Sequence, residues 1–173
     1  MVHVVRKWLG AKGQDTTRVL AQLDMTNAFN TLDRQNILAA TRDLFPCLAP
    51  WVDWAYGQEA SLLIGHAVIV SQIGVQQGDP LGPLLFSLAL HKAVARVMLK
   101  APRDCPGTLD FVVFFLDDAV IAGTEDAVLW FCSALRAELS QAGLVLNTGK
   151  CVVTTSAGTL TDARPTTFPG WVW

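Results

Sequence analysis

Residues 111–123 read FVVFFLDDAVIAG, an apolar run rich in β-branched and aromatic side chains that is broken only by the adjacent acids Asp117 and Asp118. The flanks read as strands. Neighbouring carboxylates repel, and burying them unpaired is costly, so one continuous buried strand is excluded. The run turns at the acids instead, which places both carboxylates at the rim of a sheet. Carboxylate oxygens are the hard ligands that Mg²⁺ prefers, and that ion keeps its other positions for water and substrate phosphate. The bland alternative is a solvated acidic turn with no ligand.

A third carboxylate at the end of a neighbouring strand completes a site for two cations about 3.5–4 Å apart, which activate an attacking oxygen and stabilise a leaving one. Residues 18–24, RVLAQLD, offer the one candidate with strand-end placement, Asp24. Val19, Ala21 and Leu23 share one face of an alternating strand, and Leu20, Gln22 and Asp24 share the other.

The remaining elements follow from spacing and caps. Ile37, Leu38, Thr41, Leu44 and Phe45 recur at helical intervals, with Thr31 or Asp33 as cap and Pro46 as limit. PCLAPWVDWAYG reads as a second short helix, and SLLIGHAVIVSQIG as a strand pair turning near Gly65-His66. GVQQGDPLGP is a glycine-rich loop that feeds a long apolar helix, with Asp79 expected at the N-cap and Pro80 at the first helical position. Residues 103–107 read as a loop. Thr124 caps a helix with Glu125 and Asp126 in its first turn, a buried stripe of Val128, Phe131, Leu135 and Leu139, and Gly143 at its end. CVVTT is a further strand. The order βααββαββαβ is α+β, an antiparallel sheet with helices packed on one face.

Hydrophobic residues make up 51% of the 173 positions and charged residues 16%, which excludes a disordered chain and allows one domain with a sizeable core. A net charge of −2 is unlike a free-standing nucleic-acid binder, which is usually basic. Cys47, Cys105, Cys132 and Cys151 form no C-x-x-C pair, so neither a zinc pattern nor a disulfide framework is indicated; they read as reduced thiols of an intracellular protein. No signal peptide is expected from MVHVVRKWLGAKG. The long helix carries His91, Lys92 and Arg96 and reads as a core helix, with no membrane partner expected.

Four blocks, LDMTNAFNTLDR, VQQGDPLGPLLFSLAL, FFLDDAVIAG and GLVLNTGKC, occur in that order. Together they resemble the palm motifs of reverse transcriptases, most of all those of non-LTR retroelements, over about residues 18–155. The resemblance implies an RNA-directed DNA polymerase palm using two Mg²⁺ ions, or Mn²⁺, with primer-template nucleic acid and a deoxynucleoside triphosphate as partners. It implies metal binding by Asp24, Asp117 and Asp118, with a backbone carbonyl from Met25. Phe29 stands where the family places an aromatic against the sugar 2′ position. Gln77, Gly78 and Pro80 match the loop beside nucleotide and template, and Lys150 a proton donor to departing pyrophosphate. Phe168-Pro169-Gly170 loosely resembles the primer-grip turn.

On this reading residues 1–17 are a segment on the fingers side, 18–155 the palm, and 156–173 a tail at the start of the primer-grip region. Fingers and thumb, with the basic surface that gives salt-sensitive affinity for nucleic-acid backbone, are expected largely outside this stretch. Two further readings stand beside the first: an inert truncated retroelement fragment, and another palm-type phosphotransfer enzyme such as a nucleotide cyclase.

Overall fold

The computed structural model describes residues 1–12, 15–76 and 78–155. Four strands form one antiparallel sheet in the order β4-β5-β1-β6, from β1 (Arg18–Leu23), β4 (Leu109–Phe115), β5 (Asp118–Thr124) and β6 (Val152–Thr155). The alternation read from RVLAQL is realised, with Val19, Ala21 and Leu23 buried and Gln22 exposed. β5 is central and buried from Ala119 to Gly123, whereas β4 is an edge strand and only half-buried. The FVVFF flank therefore reads as more deeply buried in sequence than it is, because nothing in its composition distinguishes an edge from a centre.

Helix α6 (Glu125–Gln141) packs against β1 and β5, α5 (Gly82–Asp104) packs on α6, and α3 (Arg34–Leu44) on α5. The stripe Val128, Phe131, Leu135 and Leu139 is fully buried beneath them, as expected. Gly143 ends α6 at φ +77°, with the Leu144 N–H returning to the Leu139 carbonyl at 2.9 Å. Thr124 holds the N-cap position, yet its hydroxyl accepts from the Thr108 N–H rather than from the helix. Of the candidate caps for α3, Asp33 does the work, accepting from the Gln35 N–H at 2.9 Å. Leu44 and Phe45, which share the spacing of the buried residues, are exposed at the helix end.

Helix α5 is the one helix among the described residues long and apolar enough to cross a membrane. Here it is the core helix, burying Leu85, Phe86, Leu90, Ala93 and Val97. Its charges are spoken for by neighbouring helices. Lys92 pairs with Asp43, and Arg96 and Lys100 grip Glu138 at 2.6 and 2.8 Å. It starts at Gly82 and ends at Asp104, so the early part of the expected 103–107 loop is helical, and the first-turn proline is Pro83 rather than Pro80.

Two helices were not legible in the sequence. α1 (Val2–Lys12) lays Trp8 edge-on to Phe111 at 6.1 Å, on the side of β4 away from the main core, and hydrogen-bonds its indole to Asp110 at 2.8 Å. α2 (Ala28–Thr31) is a single turn that follows Asn27 in the left-handed region at φ 49°. α4 (Ala49–Tyr56) and the hairpin of β2 (Ala60–Ile64) and β3 (Ala67–Ser71) lie where expected. The hairpin turns at Gly65, φ +62°, and exposes Leu63, Ile64 and Val68.

Candidate active site

Strand register decides which acids meet. β1 pairs with β5 through Leu23↔Ala119, so one further step along the antiparallel ladder sets Asp24 opposite Asp118. Directly opposed residues in such a ladder have Cα atoms about 4.5–5.5 Å apart. Asp117 is the neighbouring residue of the turn between β4 and β5, whose last pair is Phe115↔Asp118. Leu116 begins that turn at φ +57°, a conformation that disfavours a branched side chain and that usually falls to glycine. Strain held at the tip of a tight hairpin carrying functional side chains is a recurrent feature of active sites.

The other side of Asp24 is pinned by the segment before β6. Its carbonyl accepts from the Asn147 N–H at 2.9 Å and from the Cys151 thiol at 3.7 Å, while the Thr26 N–H donates to the Val145 carbonyl. These bonds flank the Met25↔Leu146 bridge and use neither the N–H nor the carbonyl of Met25 itself. In an antiparallel pair those groups lie on the opposite edge, here the edge facing the 117–118 turn. The Met25 side chain is buried in the core.

Asp24 Oδ2 is buried with no hydrogen-bond partner; the nearest countercharge is Lys150, whose Nζ lies 3.8 Å away. Burial first, then the charges of Asp117 and Asp24, hold the Asp118 carboxyl above its ordinary value. An orphaned buried oxygen beside two like charges suits a divalent cation. Among the described residues no group of three or more His, Cys, Asp or Glu is arranged to hold a metal ion.

The Asp118 shift has a testable sign. Above the folded-state value both native and unfolded chains are ionised, and the native state alone carries the repulsion. As pH falls through that value toward the ordinary carboxylate range, the native state takes up its proton first and stability rises. Asp118→Asn removes the repulsion, so in chelator-treated buffer at pH 7 its thermal midpoint is expected to equal or slightly exceed that of the parent, with a flatter acid profile. Asp118 is exposed, which keeps the effect small. A clear fall in midpoint would mean that Asp118 serves structure instead.

Beside Asp117 opens a cleft of about 410 Å³, lined by Asn27, Phe29, Asn30, Gly78, Asp79 and Pro83 among others. Phe29 reaches it from α2 with its ring stacked on the buried Phe86, centroids 4.4 Å apart. Gly78 stands at φ +89° with open space where a Cβ would project, so its backbone is bare to the cleft. Pro80 is exposed and outside the lining, and Gln77 lies outside the described residues. So do Phe168, Pro169 and Gly170. Asp79 lines the cleft but is committed: Oδ1 accepts from the Leu81 N–H at 2.8 Å and Oδ2 from the Tyr56 hydroxyl. Burial and that donated bond push the Tyr56 hydroxyl up to about 12.

Arg34, Tyr56 and Gly74, which stand behind the lining of this cleft and hold its loop, are not singled out by the sequence. Arg34 did carry a signal. A cation in the first turn of a helix opposes the helix dipole, so some other partner must hold it there.

Comparison with known proteins agrees with the geometry. The family model described as reverse transcriptase (RNA-dependent DNA polymerase) matches residues 6–172. The chain is 29% identical over 162 residues to the retrotransposable element SLACS 132 kDa protein of Trypanosoma brucei gambiense, a match covering 86% of this chain and 12% of that protein. It is 28% identical over 140 residues to the retrovirus-related Pol polyprotein from type-1 retrotransposable element R2 of Nasonia vitripennis, covering 76% and 14%. The chain thus spans a small part of the length of these relatives. Its fold is similar to telomerase from Candida albicans, solved with a fragment of telomeric RNA, at TM-score 0.67 and 13% identity over 95% of this chain and 30% of that one. Apo telomerase from Candida tropicalis gives TM-score 0.64 and 12% identity over 89% and 31%.

Proposed function

This chain belongs to the reverse transcriptase (RNA-dependent DNA polymerase) family, and on that premise we propose that residues 18–155 are a polymerase palm that joins a deoxynucleotide to a primer 3′-hydroxyl on a nucleic-acid template. The carrying observation is the meeting of Asp24 with the 117–118 turn beside a cleft walled by Phe29, Gly78 and Asp79. Residues from three separated sequence blocks converge on one opening.

The carboxylates of Asp24 and Asp117 and the Met25 carbonyl edge are the groups that would hold divalent cations, with Asp118 adding negative field. Two Mg²⁺ ions bound there would supply phosphate charge neutralisation and activation of the 3′-hydroxyl. The chain's own residues do the rest by positioning. The Gly78 backbone lets the triphosphate lie close, as no side chain intervenes. Phe29, held flat by Phe86, crowds the sugar at its 2′ side. Lys150, whose Nζ lies 3.8 Å from Asp24 Oδ2, would give a proton to departing pyrophosphate. Partner nucleic acid is held mainly by basic surface beyond this palm.

Two experiments test the reading: primer extension on an RNA template with Mg²⁺ or Mn²⁺, and metal-titration calorimetry on the chain and its Asp24→Asn and Asp117→Asn variants. Template-dependent extension and cation binding lost in both variants are expected. Cation binding indifferent to both acids would sink the site. The 2′ wall has its own readout. Phe29→Ala is expected to raise ribonucleotide incorporation relative to deoxynucleotide by about 10–100-fold, the scale on which a shaped apolar wall rejects a hydroxyl. Single-nucleotide incorporation kinetics with matched triphosphates measure it.

A further inference from the structure

The loop 71–79, which brings Gly78 and Asp79 to the cleft, is held by residues distant in the chain. Arg34 is only 4% exposed, and among the described residues it has no carboxylate partner. A buried guanidinium must satisfy its donors in some other way. It donates from Nε to the Gly74 carbonyl at 3.0 Å, and from its two terminal nitrogens to the Ser71 carbonyl at 2.9 Å and Ser71 Oγ at 2.7 Å. Its Cζ also lies 5.3 Å from the centroid of the Tyr56 ring. Tyr56, 2% exposed, carries the hold further along the loop: its hydroxyl donates to Asp79 Oδ2 and accepts from the Gln76 N–H at 3.3 Å.

The loop is bonded in turn to the opposite wall. The Gly74 N–H donates to the Leu32 carbonyl and the Val75 N–H to the Phe29 carbonyl, both at 2.8 Å. One continuous set of contacts therefore runs from Asp79 on one wall, through Tyr56, Arg34, Gly74 and Val75, to Phe29 on the other. Arg34, Tyr56 and Gly74 themselves stand behind the residues that line the cleft.

We infer that Arg34 and Tyr56 are positioning residues of the cleft, setting the spacing between α2 and the 71–79 loop and so the affinity for the incoming nucleoside triphosphate. The last clause rests on the polymerase reading; the clamp itself does not. Guanidinium suits the task because its planar fork reaches Ser71 and Gly74 together, which a single ammonium does not.

Tyr56→Phe is the cleanest variant, because it keeps the ring beneath Arg34 and removes only the hydroxyl. Losing those bonds is expected to raise the KM for deoxynucleoside triphosphate about tenfold while kcat changes less than about twofold, since one hydrogen bond to a charged group is worth about that factor. Arg34→Lys should move KM in the same direction. Amide hydrogen exchange read by mass spectrometry gives the second arm: exchange at residues 74–82 should quicken in both variants, while β1 and α6 keep parental protection. Unchanged exchange at 74–82 overturns the clamp. Faster exchange with an unchanged KM overturns its role in nucleotide affinity. Should the parent chain extend no primer, the polymerase reading fails, and the exchange arm alone still decides whether the clamp holds the loop.

Discussion

Asp24→Asn is expected to lower primer extension by about 10³-fold or more while leaving the fold intact. The magnitude is that of removing a group that stabilises charge directly at the reacting phosphate. The structural half follows from how Asp24 is held. Its backbone carbonyl is anchored by Asn147 and Cys151, while its side chain has no hydrogen bond to Oδ2 and makes one loose ion pair, with the exposed Lys150 at 3.8 Å. An amide of the same shape keeps the backbone contacts, gives up only that exposed pair, which is worth little, and removes one of the charges pressing on Asp118. The thermal midpoint should therefore hold or rise slightly as activity disappears. Asp79→Asn is the informative control. Asp79 lines the same cleft, but both its oxygens serve the loop, so its loss should weaken nucleotide binding and stability together without abolishing turnover. Steady-state extension beside thermal unfolding reads all three quantities. An Asp24→Asn chain extending within tenfold of the parent would remove Asp24 from the chemistry.

What was legible in the sequence depended on whether the cause was local. The acidic tip announces itself because no other reading of FFLDDAV avoids burying charge, and the alternation of RVLAQL fixes which end of β1 carries Asp24. The pairing of these two strands is not local information; it is read from the register, which sets Asp24 opposite Asp118. α1 was missed because Val2, Val4, Val5 and Gly10 are poor helix formers, and its partners, Asp110 and Phe111, lie a hundred residues downstream. α2 is one turn long, too short to show a period. Pro80 looked like the helix start because Asp-Pro is a common one, but Asp79 spends its oxygens on Leu81 and Tyr56 and the helix begins later. Arg34, Tyr56 and Gly74 were passed over for one reason: each is explained only by the others, and none of them is near another in the chain.

Gly74→Ala should therefore be strongly damaging, with an expected loss of about 2–4 kcal/mol in unfolding free energy. Two costs add. At φ +70° any side chain meets its own carbonyl, worth about 1–2 kcal/mol. A Cβ would also fall 2.6 Å from both the Asn30 Cα and the Phe29 carbonyl oxygen. These are backbone atoms and cannot rotate aside. Either α2 or the loop must retreat, and the bonds from Gly74 to Leu32 and from Val75 to Phe29 go with it. Gly78→Ala separates the two costs. Gly78 has a comparable φ, +89°, but nothing stands within 4 Å of a Cβ there, so it bears the conformational cost alone. Urea unfolding of both variants should show Gly74→Ala losing at least about 1 kcal/mol more than Gly78→Ala. Equal losses would mean that α2 and the loop do not meet at Gly74, and the cleft between Phe29 and Gly78 would lack the rigid wall that nucleotide selection requires.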